Sequence, residues 1–233
     1  MGTMPLLGAG LAGPASAAPS PPLTGLAAWY RADLGVTEAG TGVSQWNDQS
    51  GNAHNVVQGT DANRPALVTG VINGHPVIRF TLANTDRLVD TSGLSISQPY
   101  TLVMVAARTA TGGTQWVVSA GDGNYRCIGY DSDDTPQMFA GGIVDDAVPL
   151  NTAFHAFIGI FNGASSEIFI DNSSVVTGDA GSGSIGGVGI GVGNGTTGDP
   201  FGGDIAEVLI YDHALDGTER TALAAYVAAR YAL

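Results

Sequence analysis

The chain has 233 residues, 21 acidic side chains and eight basic ones, which gives a formal net charge of -13. All eight basic residues are Arg, so the sequence lacks the clustered basic footprint that nucleic-acid binding needs. The acidity also disfavours docking onto an anionic membrane, and no apolar run approaches the roughly 18 residues of a membrane-spanning helix. We therefore expect no nucleic-acid partner and no membrane insertion.

The 35 Gly residues and the abundant Thr, Ser, Asn and Asp favour an all-β fold with short strands and tight turns. Cys127 lies in a run that alternates like a strand, and we expect it to be a buried small side chain.

Residues 1–22 are rich in Gly, Ala, Pro and Ser and carry no charged side chain, so this segment cannot bury enough apolar surface to fold alone. A signal peptide is a poor interpretation, because a positively charged start is missing and Gly and Pro interrupt the apolar stretch. We expect an extended arm that anchors the protein to another chain or to a second copy of itself. A tail that lies on its own domain is the alternative. The side chains expected to form the anchor are Met4, Pro5, Leu6, Leu7 and Leu11.

Residues 23–233 are predicted to form one domain, in which short strand-like runs alternate with turns at the spacing of a sandwich or barrel. The run 154–161 is apolar on both faces, which predicts a central strand covered on both sides. Residues 166–178 predict a hairpin that turns at Asp171, Asn172 and Ser173. The Gly-rich run 185–195 predicts close approach of another backbone or of a ligand. Further strands are predicted at 101–108, 114–121 and 125–131.

The stretch 203–211 alternates as a strand. One face is predicted to carry Ala206, Val208 and Ile210, and the other Ile205, Glu207, Leu209 and Tyr211.

A helix is predicted after this strand, because Asp216 and Glu219 have the spacing of a capping box. Its apolar stripe should pack on the domain. The stripe consists of Leu223, Tyr226, Val227, Arg230 and Tyr231.

The run from Gly203 to Arg220, followed by the Ala-rich helix, resembles the closing signature of concanavalin A-like, laminin-G-like jelly-roll domains. The opening segments 25–33, 43–55, 64–68 and 73–80 are similar to the same group, so the resemblance covers both ends of the domain. It implies a jelly-roll sandwich of two antiparallel sheets, with glycan or protein ligands on a concave face or at its rim. It also implies that Trp29 and Trp46, which lie in the opening motifs, belong to the core.

Domains of this kind are found in secreted bacterial proteins and in exterior proteins of phages and phage-like particles. The Gly-, Ala- and Pro-rich arm suits the second setting better, so we expect a virion-exterior protein, such as a capsid decoration, head fibre or tail component, that binds host surface polysaccharide. Its partners would be copies of itself and a virion scaffold protein held by the arm. The alternatives are a secreted or cell-surface lectin-like module and a purely architectural decoration protein.

Catalysis is not expected, because the Glu residues at 38, 167, 207 and 219 are scattered and form no glycosidase motif. The residue clusters of jelly-roll polysaccharide lyases also have no counterpart in this sequence.

Glycan binding needs an aromatic face with polar groups beside it. The middle strands supply such a set, although core packing is the competing interpretation for Trp116. The predicted ligand-binding residues are Trp116, Tyr125, Arg126, Tyr130 and Asp131.

The loop 129–136 offers Asp131, Asp133 and Asp134 as oxygen ligands for calcium, the one cofactor that we consider. The alternative is a solvated acidic turn. The four His residues are too far apart in sequence to show metal-ligand spacing.

Overall fold

The computed structural model describes residues 20–195 and 198–233, apart from the side chains of Thr91 and Ser92. Almost all regular structure in this part of the chain is β, with one α-helix, α1 (Gly217–Tyr231), close to the C-terminus. Short 3₁₀ turns occur at Asp61–Asn63, Leu82–Asn84 and Gly163–Ser165. The strands in chain order are β1 (Leu26–Arg31), β2 (Val36–Ala39), β3 (Gly42–Trp46), β4 (Val56–Val57), β5 (Ala66–Ile72), β6 (His75–Phe80), β7 (Leu88–Ile96), β8 (Tyr100–Arg108), β9 (Gln115–Ser119), β10 (Cys127–Tyr130), β11 (Pro136–Phe139), β12 (Ile143–Asp145), β13 (His155–Phe161), β14 (Ser166–Ile170), β15 (Ser173–Gly178), β16 (Ile185–Ile190) and β17 (Gly203–Tyr211).

The strands form two antiparallel sheets that pack face to face, as the sequence predicts. In the first sheet the order is β15-β14-β13-β8-β17-β6-β5. The long strand β17 pairs with β8 along one edge and, along the other, with β6 at Gly203–Ile205 and with β1 further on. The second sheet has the order β12-β11-β10-β9-β16-β7-β4-β3-β2. The prediction of an all-β jelly-roll sandwich is confirmed.

The main core lies between the sheets and includes a continuous row of directly paired residues across the second sheet. Each of these side chains contributes about 1.5–3 kcal/mol by leaving water. The row consists of Leu88, Ile190, Val118, Ile128, Met138 and Val144.

A second core lies between the outer face of the first sheet and α1. Strand β13 takes part in both cores, since Phe157 and Phe161 face the sandwich interior while Ile158 and Ile160 face the helix side. It also has hydrogen-bonded neighbours on both edges. The prediction of a central strand covered on both sides is therefore confirmed.

The hairpin of β14 and β15 also forms as predicted. Asp171 and Asn172 turn the chain with positive φ angles of 50° and 65°. The Gly-rich run reaches the second sheet as β16, where Gly187 lies against the backbone of Asp90 and Gly121. Close approach of another backbone is thus the explanation for Gly187 and Gly195, whereas Gly191 and Gly193 lie against aromatic rings.

The predicted alternation of β17 is wrong at two residues. A β-bulge between Ile205 and Glu207 inserts an extra residue, which changes the phase of the strand. Ile205 therefore joins Val208 and Ile210 in the sandwich interior, and Ala206 faces the helix side.

The capping box of α1 is confirmed. The Asp216 carboxylate accepts hydrogen bonds from the amides of Thr218 and Glu219, at 2.8 and 2.9 Å, and the Glu219 carboxylate accepts from the Asp216 amide at 2.9 Å. The predicted stripe packs on the first sheet, with Leu223, Tyr226, Val227 and Tyr231 all buried.

Other buried positions also match the sequence analysis. Trp46 and Cys127 are fully buried, and burial raises the pKa of the Cys127 thiol. Trp29 is only half-buried and packs at the edge of the helix-side core.

The predicted arm falls mostly outside the described residues, and so do Met4, Pro5, Leu6, Leu7 and Leu11. From Ser20 onward the chain lies near the first sheet, where the Pro22 carbonyl accepts a hydrogen bond from the Tyr211 hydroxyl at 3.1 Å. The boundary between arm and domain stays a prediction. No helix in the described residues is long and apolar enough to cross a membrane.

Candidate ligand-binding sites

The predicted aromatic surface does not form as one face, because Tyr130 belongs to the core. Its side chain is fully buried, with its ring edge-on to Phe157 at 5.2 Å and stacked with Phe201 at 6.4 Å. The guanidinium of Arg108 lies 4.7 Å from the Tyr130 ring centroid. The prediction is wrong for Tyr130, since β10 turns this side chain towards the opposite sheet.

Trp116 and Tyr125 do lie together, but beneath a loop. The backbone at Gly193 packs directly against both rings, and a side chain there would collide with them. Trp116 is only 5% exposed, in agreement with the core-packing interpretation. Tyr125 is half-buried, and burial together with the nearby charge of Asp199 raises the pKa of its hydroxyl.

The side chains of Arg126 and Asp131 form hydrogen bonds to residues close to them in sequence. Arg126 packs over Gly183 and donates to the carbonyl of Tyr125 at 2.6 Å, while its buried Nε has no hydrogen-bond partner among the described residues. The Asp131 carboxylate accepts from the amides of Asp133 and Thr135, at 2.8 and 3.0 Å, and so holds its own turn.

The three carboxylates of the predicted calcium loop do not converge. Asp134 pairs with the buried Arg108 guanidinium and accepts from the Gly112 amide at 2.7 Å, whereas Asp133 is exposed. In the part of the chain that the structure describes, no group of three or more His, Cys, Asp and Glu side chains is placed to hold a metal ion. The Asp131 carboxylate is bonded within its own loop, whereas the partners of Asp134, Arg108 and Gly112, lie outside that loop.

Glu207 lies in a network that sequence reasoning missed. This fully buried carboxylate accepts hydrogen bonds from Trp29 Nε1 at 2.5 Å, the Tyr226 hydroxyl at 2.7 Å and the Tyr231 hydroxyl at 2.6 Å. Burial raises the pKa of Glu207, while these three donors and the charge of Arg230 oppose the increase. Since two of the donors come from α1, we assign Glu207 to docking of the helix.

An open polar cleft of about 610 Å³ lies where the segment leading into β1 meets the end of β7. The loop around residues 52–54 forms a third wall, and Asp212 completes the lining. The polar lining side chains are Asn52, His54, Ser95, Ser97 and Asp212.

Strand alternation and a turn together build this cleft. Leu94 and Ile96 enter the core, so Ser95 and Ser97 face outwards. Asp48 fixes the loop, because its carboxylate accepts hydrogen bonds from the backbone amides of residues 29, 50 and 54 at 2.8–3.1 Å.

His54 is the most specific group in the cleft. Its Nδ1 lies 3.3 Å from Oδ2 of Asp90, which is 4% exposed, and its Nε2 has no partner among the described residues. Gly93, with φ of 87°, leaves the space beside the imidazole Cε1 open. The cleft therefore holds an oriented imidazole with one nitrogen free for a ligand.

No protein-family model matches the sequence, and no curated protein matches it. Solved structures do match. Domain 4 of a GH43 extracellular arabinanase from Geobacillus stearothermophilus, solved in complex with arabinotriose, has a TM-score of 0.60 and 18% identity, over 85% of this chain and 98% of that chain. The binding domain of Paraclostridial Mosquitocidal Protein 1 has a TM-score of 0.60 and 14% identity, over 88% of this chain and 52% of that one.

Trypanosoma rangeli sialidase in complex with the inhibitor DANA has a TM-score of 0.58 and 15% identity, over 90% of this chain. The present chain spans only 34% of the sialidase chain. At these identities the matches establish that the chain shares a β-sandwich fold with these domains.

Proposed function

We propose that this protein is a non-catalytic, lectin-like carbohydrate-binding module that acts outside the cell or at a surface. The observation that carries the proposal is the open cleft lined by Asn52, His54, Ser95, Ser97 and Asp212. It combines free hydrogen-bonding atoms with a rigid β framework, which is the arrangement that small polar ligands require.

The chemistry of the lining suits a saccharide. Sugars present hydroxyls together with apolar C–H patches. The hydroxyls of Ser95 and Ser97 and the free His54 Nε2 can hydrogen-bond to sugar hydroxyls. Leu23, which is 64% exposed at the cleft, offers an apolar contact.

The structural neighbours support the same function by analogy of fold, which is a weaker argument than the site itself. The arabinanase domain was solved with a bound arabinotriose, and nearly the whole of that domain matches the present chain. The neighbour from the mosquitocidal protein is a binding domain.

A position on a virion exterior, with self-association and scaffold binding through the arm, is the second candidate. It follows from the resemblance to laminin-G-like jelly-roll domains, which include phage exterior proteins, together with the composition of the arm, but the structural neighbours include no virion protein among those described above. The lectin-like module fits these neighbours as well or better.

Calorimetric titration of the full chain against arabinan, galactan, glucan and mannan oligosaccharides tests the proposal. We expect saturable binding that His54→Ala weakens about tenfold or more, the effect of losing one ligand hydrogen bond. His155→Ala is the matched control, because His155 also pairs with an aspartate, Asp171 at 2.7 Å, but lies outside the cleft. Absence of binding to every saccharide by the folded protein would refute the proposal.

Two further measurements in the same titration test the sites predicted from sequence. Binding that survives His54→Ala but is lost with Tyr125→Ala would place the ligand at the half-buried Tyr125 instead. Binding that a calcium chelator abolishes would restore the Asp131 loop as a calcium site.

A further inference from the structure

We infer that the cleft selects uncharged saccharides and rejects sugars that carry a carboxylate, such as sialic and uronic acids. This inference rests on the proposed function and names its ligand class. It follows from the charges and the hydrogen-bonding roles of the groups at the cleft.

Lys and Arg side chains that could receive a sugar carboxylate are missing from the cleft lining. The sequence contains no Lys, and none of its eight Arg residues lines the cleft. Proteins recognise carboxylates mainly through the planar fork of an Arg side chain. Most of the arginines are already paired with acidic groups elsewhere. The pairs are Arg31–Asp33, Arg64–Asp61, Arg79–Asp204, Arg108–Asp134 and Arg230–Asp33.

The charges beside the cleft are mainly acidic. The Asp212 side chain is 59% exposed. Two imidazoles can carry a positive charge here, but each faces acidic groups. His54 in the cleft faces the buried Asp90 carboxylate at 3.3 Å, and His213, next to Asp212, lies 3.2 Å from the Asp212 carboxylate and 3.0 Å from Glu219. Two acids therefore surround one imidazole, and an incoming carboxylate would meet net negative charge.

The hydrogen-bonding roles lead to the same selection. When Nδ1 of the neutral His54 ring donates to Asp90, Nε2 is left as an acceptor. The Asp212 carboxylate is also an acceptor only. In that tautomer of His54, both groups require a donor on the ligand. A sugar hydroxyl can donate to them, whereas an ionised carboxylate cannot.

Pairs of related neutral and acidic ligands test this inference on the full chain. The pairs are lactose against sialyllactose, and fully methyl-esterified oligogalacturonate against the free acid, titrated in 150 mM salt. We expect the neutral member of at least one pair to bind tenfold or more tightly than its acidic partner. Asp212→Asn should narrow that gap by improving binding of the acidic member.

The control is Asp145→Asn, which makes the same change in net charge at an exposed residue of β12, away from the cleft. If the two variants changed the affinity for the acidic saccharides equally, the selectivity could not be assigned to the cleft. Tighter binding of the acidic members would overturn the inference while leaving the carbohydrate-binding function intact. Failure of every saccharide to bind would instead refute the proposed function.

Discussion

Polar side chains are fully hydrogen-bonded on the helix-covered face of the first sheet but keep free hydrogen-bonding atoms in the open cleft. Under α1, Glu207 is fully buried and receives three side-chain hydrogen bonds. In the cleft, His54 is oriented by Asp90 but keeps Nε2 without a partner among the described residues.

The difference follows from access to water. A buried polar atom without a partner costs the full energy of its desolvation, so only satisfied groups persist under the helix. An open polar atom is hydrated, and a ligand can replace that water at little cost. We therefore expect stability and ligand binding to depend on separate sets of residues.

The largest expected effect comes from Glu207. Glu207→Ala removes the acceptor for Trp29, Tyr226 and Tyr231 and leaves buried donors unpaired, which should lower the free energy of unfolding by about 3–5 kcal/mol. Glu207→Gln should lose less, because its amide oxygen still accepts. Urea unfolding measures both variants.

Glu38→Ala is the control for Glu207, since Glu38 is exposed on β2 and its loss should change the free energy of unfolding by less than about 0.5 kcal/mol. Saccharide affinity of the folded Glu207→Gln variant should match that of the parent. If Glu207→Ala unfolded at the same urea concentration as Glu38→Ala, the helix-covered face would not depend on this network.

The ion pair of Arg108 and Asp134 lies away from the helix. It tests whether burial by itself makes the loss of a polar contact strongly destabilising. Arg108 is 2% exposed and pairs with Asp134. Asp134→Ala would leave the cation buried, and we expect a loss of about 2–4 kcal/mol by urea unfolding. In the matched variant Asp204→Ala, the remaining Arg79 is 43% exposed and can reach water, so the loss should be about 1 kcal/mol or less. Equal losses would show that exposure of the remaining cation does not decide the cost.

Local patterns predicted much of the helix-covered face. Three of these patterns depend only on residues close together in sequence. They are the capping-box spacing of Asp216 and Glu219, the apolar stripe of α1 and the two apolar faces of the strand at 154–161. The phase of β17 could not be predicted, because the bulge after Ile205 depends on pairing with the distant strand β8.

The cleft was harder to predict for the same physical reason. His54, Ser95 and Asp212 come from three separate parts of the chain, and no spacing in sequence joins them. The aromatic residues near 125–130 looked like a surface because composition alone does not show which side of a strand faces the core. The pairing of β10 with its neighbours settles that Tyr130 points inwards.

The N-terminus of α1 offers a smaller effect that separates capping from burial. Asp216 is exposed, yet its carboxylate satisfies two backbone amides of the first turn. Asp216→Ala should therefore cost about 1 kcal/mol, whereas Asp216→Ser should cost a few tenths, since Ser also caps well. Thermal unfolding of the two variants compares them. Equal destabilisation would mean that the side-chain charge, rather than the cap hydrogen bonds, stabilises the helix.

The smallest effect on stability is expected at Asp33, which forms ion pairs with an arginine of β1 and with an arginine of α1. The Asp33 carboxylate lies 2.8 Å from Arg31 and 2.6 Å from Arg230 of α1. Burial alone would raise the pKa of Asp33, but hydrogen bonds and charge from the two arginines outweigh it and lower the pKa from 3.8 to about 2. A carboxyl whose pKa is lower in the folded state contributes stability above its unfolded pKa and loses it as the pH falls through the folded value.

Asp33→Asn should therefore flatten the loss of stability between about pH 4 and pH 2, while costing less than about 1 kcal/mol at neutral pH because the ion pair is partly solvated. Urea unfolding at a series of pH values measures the slope, and Asp145→Asn, which removes an exposed carboxylate, should leave it unchanged. The pKa of Glu207 is shifted upwards instead, so ionisation of Glu207 opposes folding as the pH rises through its folded pKa. If Asp33→Asn kept the pH slope of the parent, the two arginines would not be lowering the pKa of Asp33 in the folded protein.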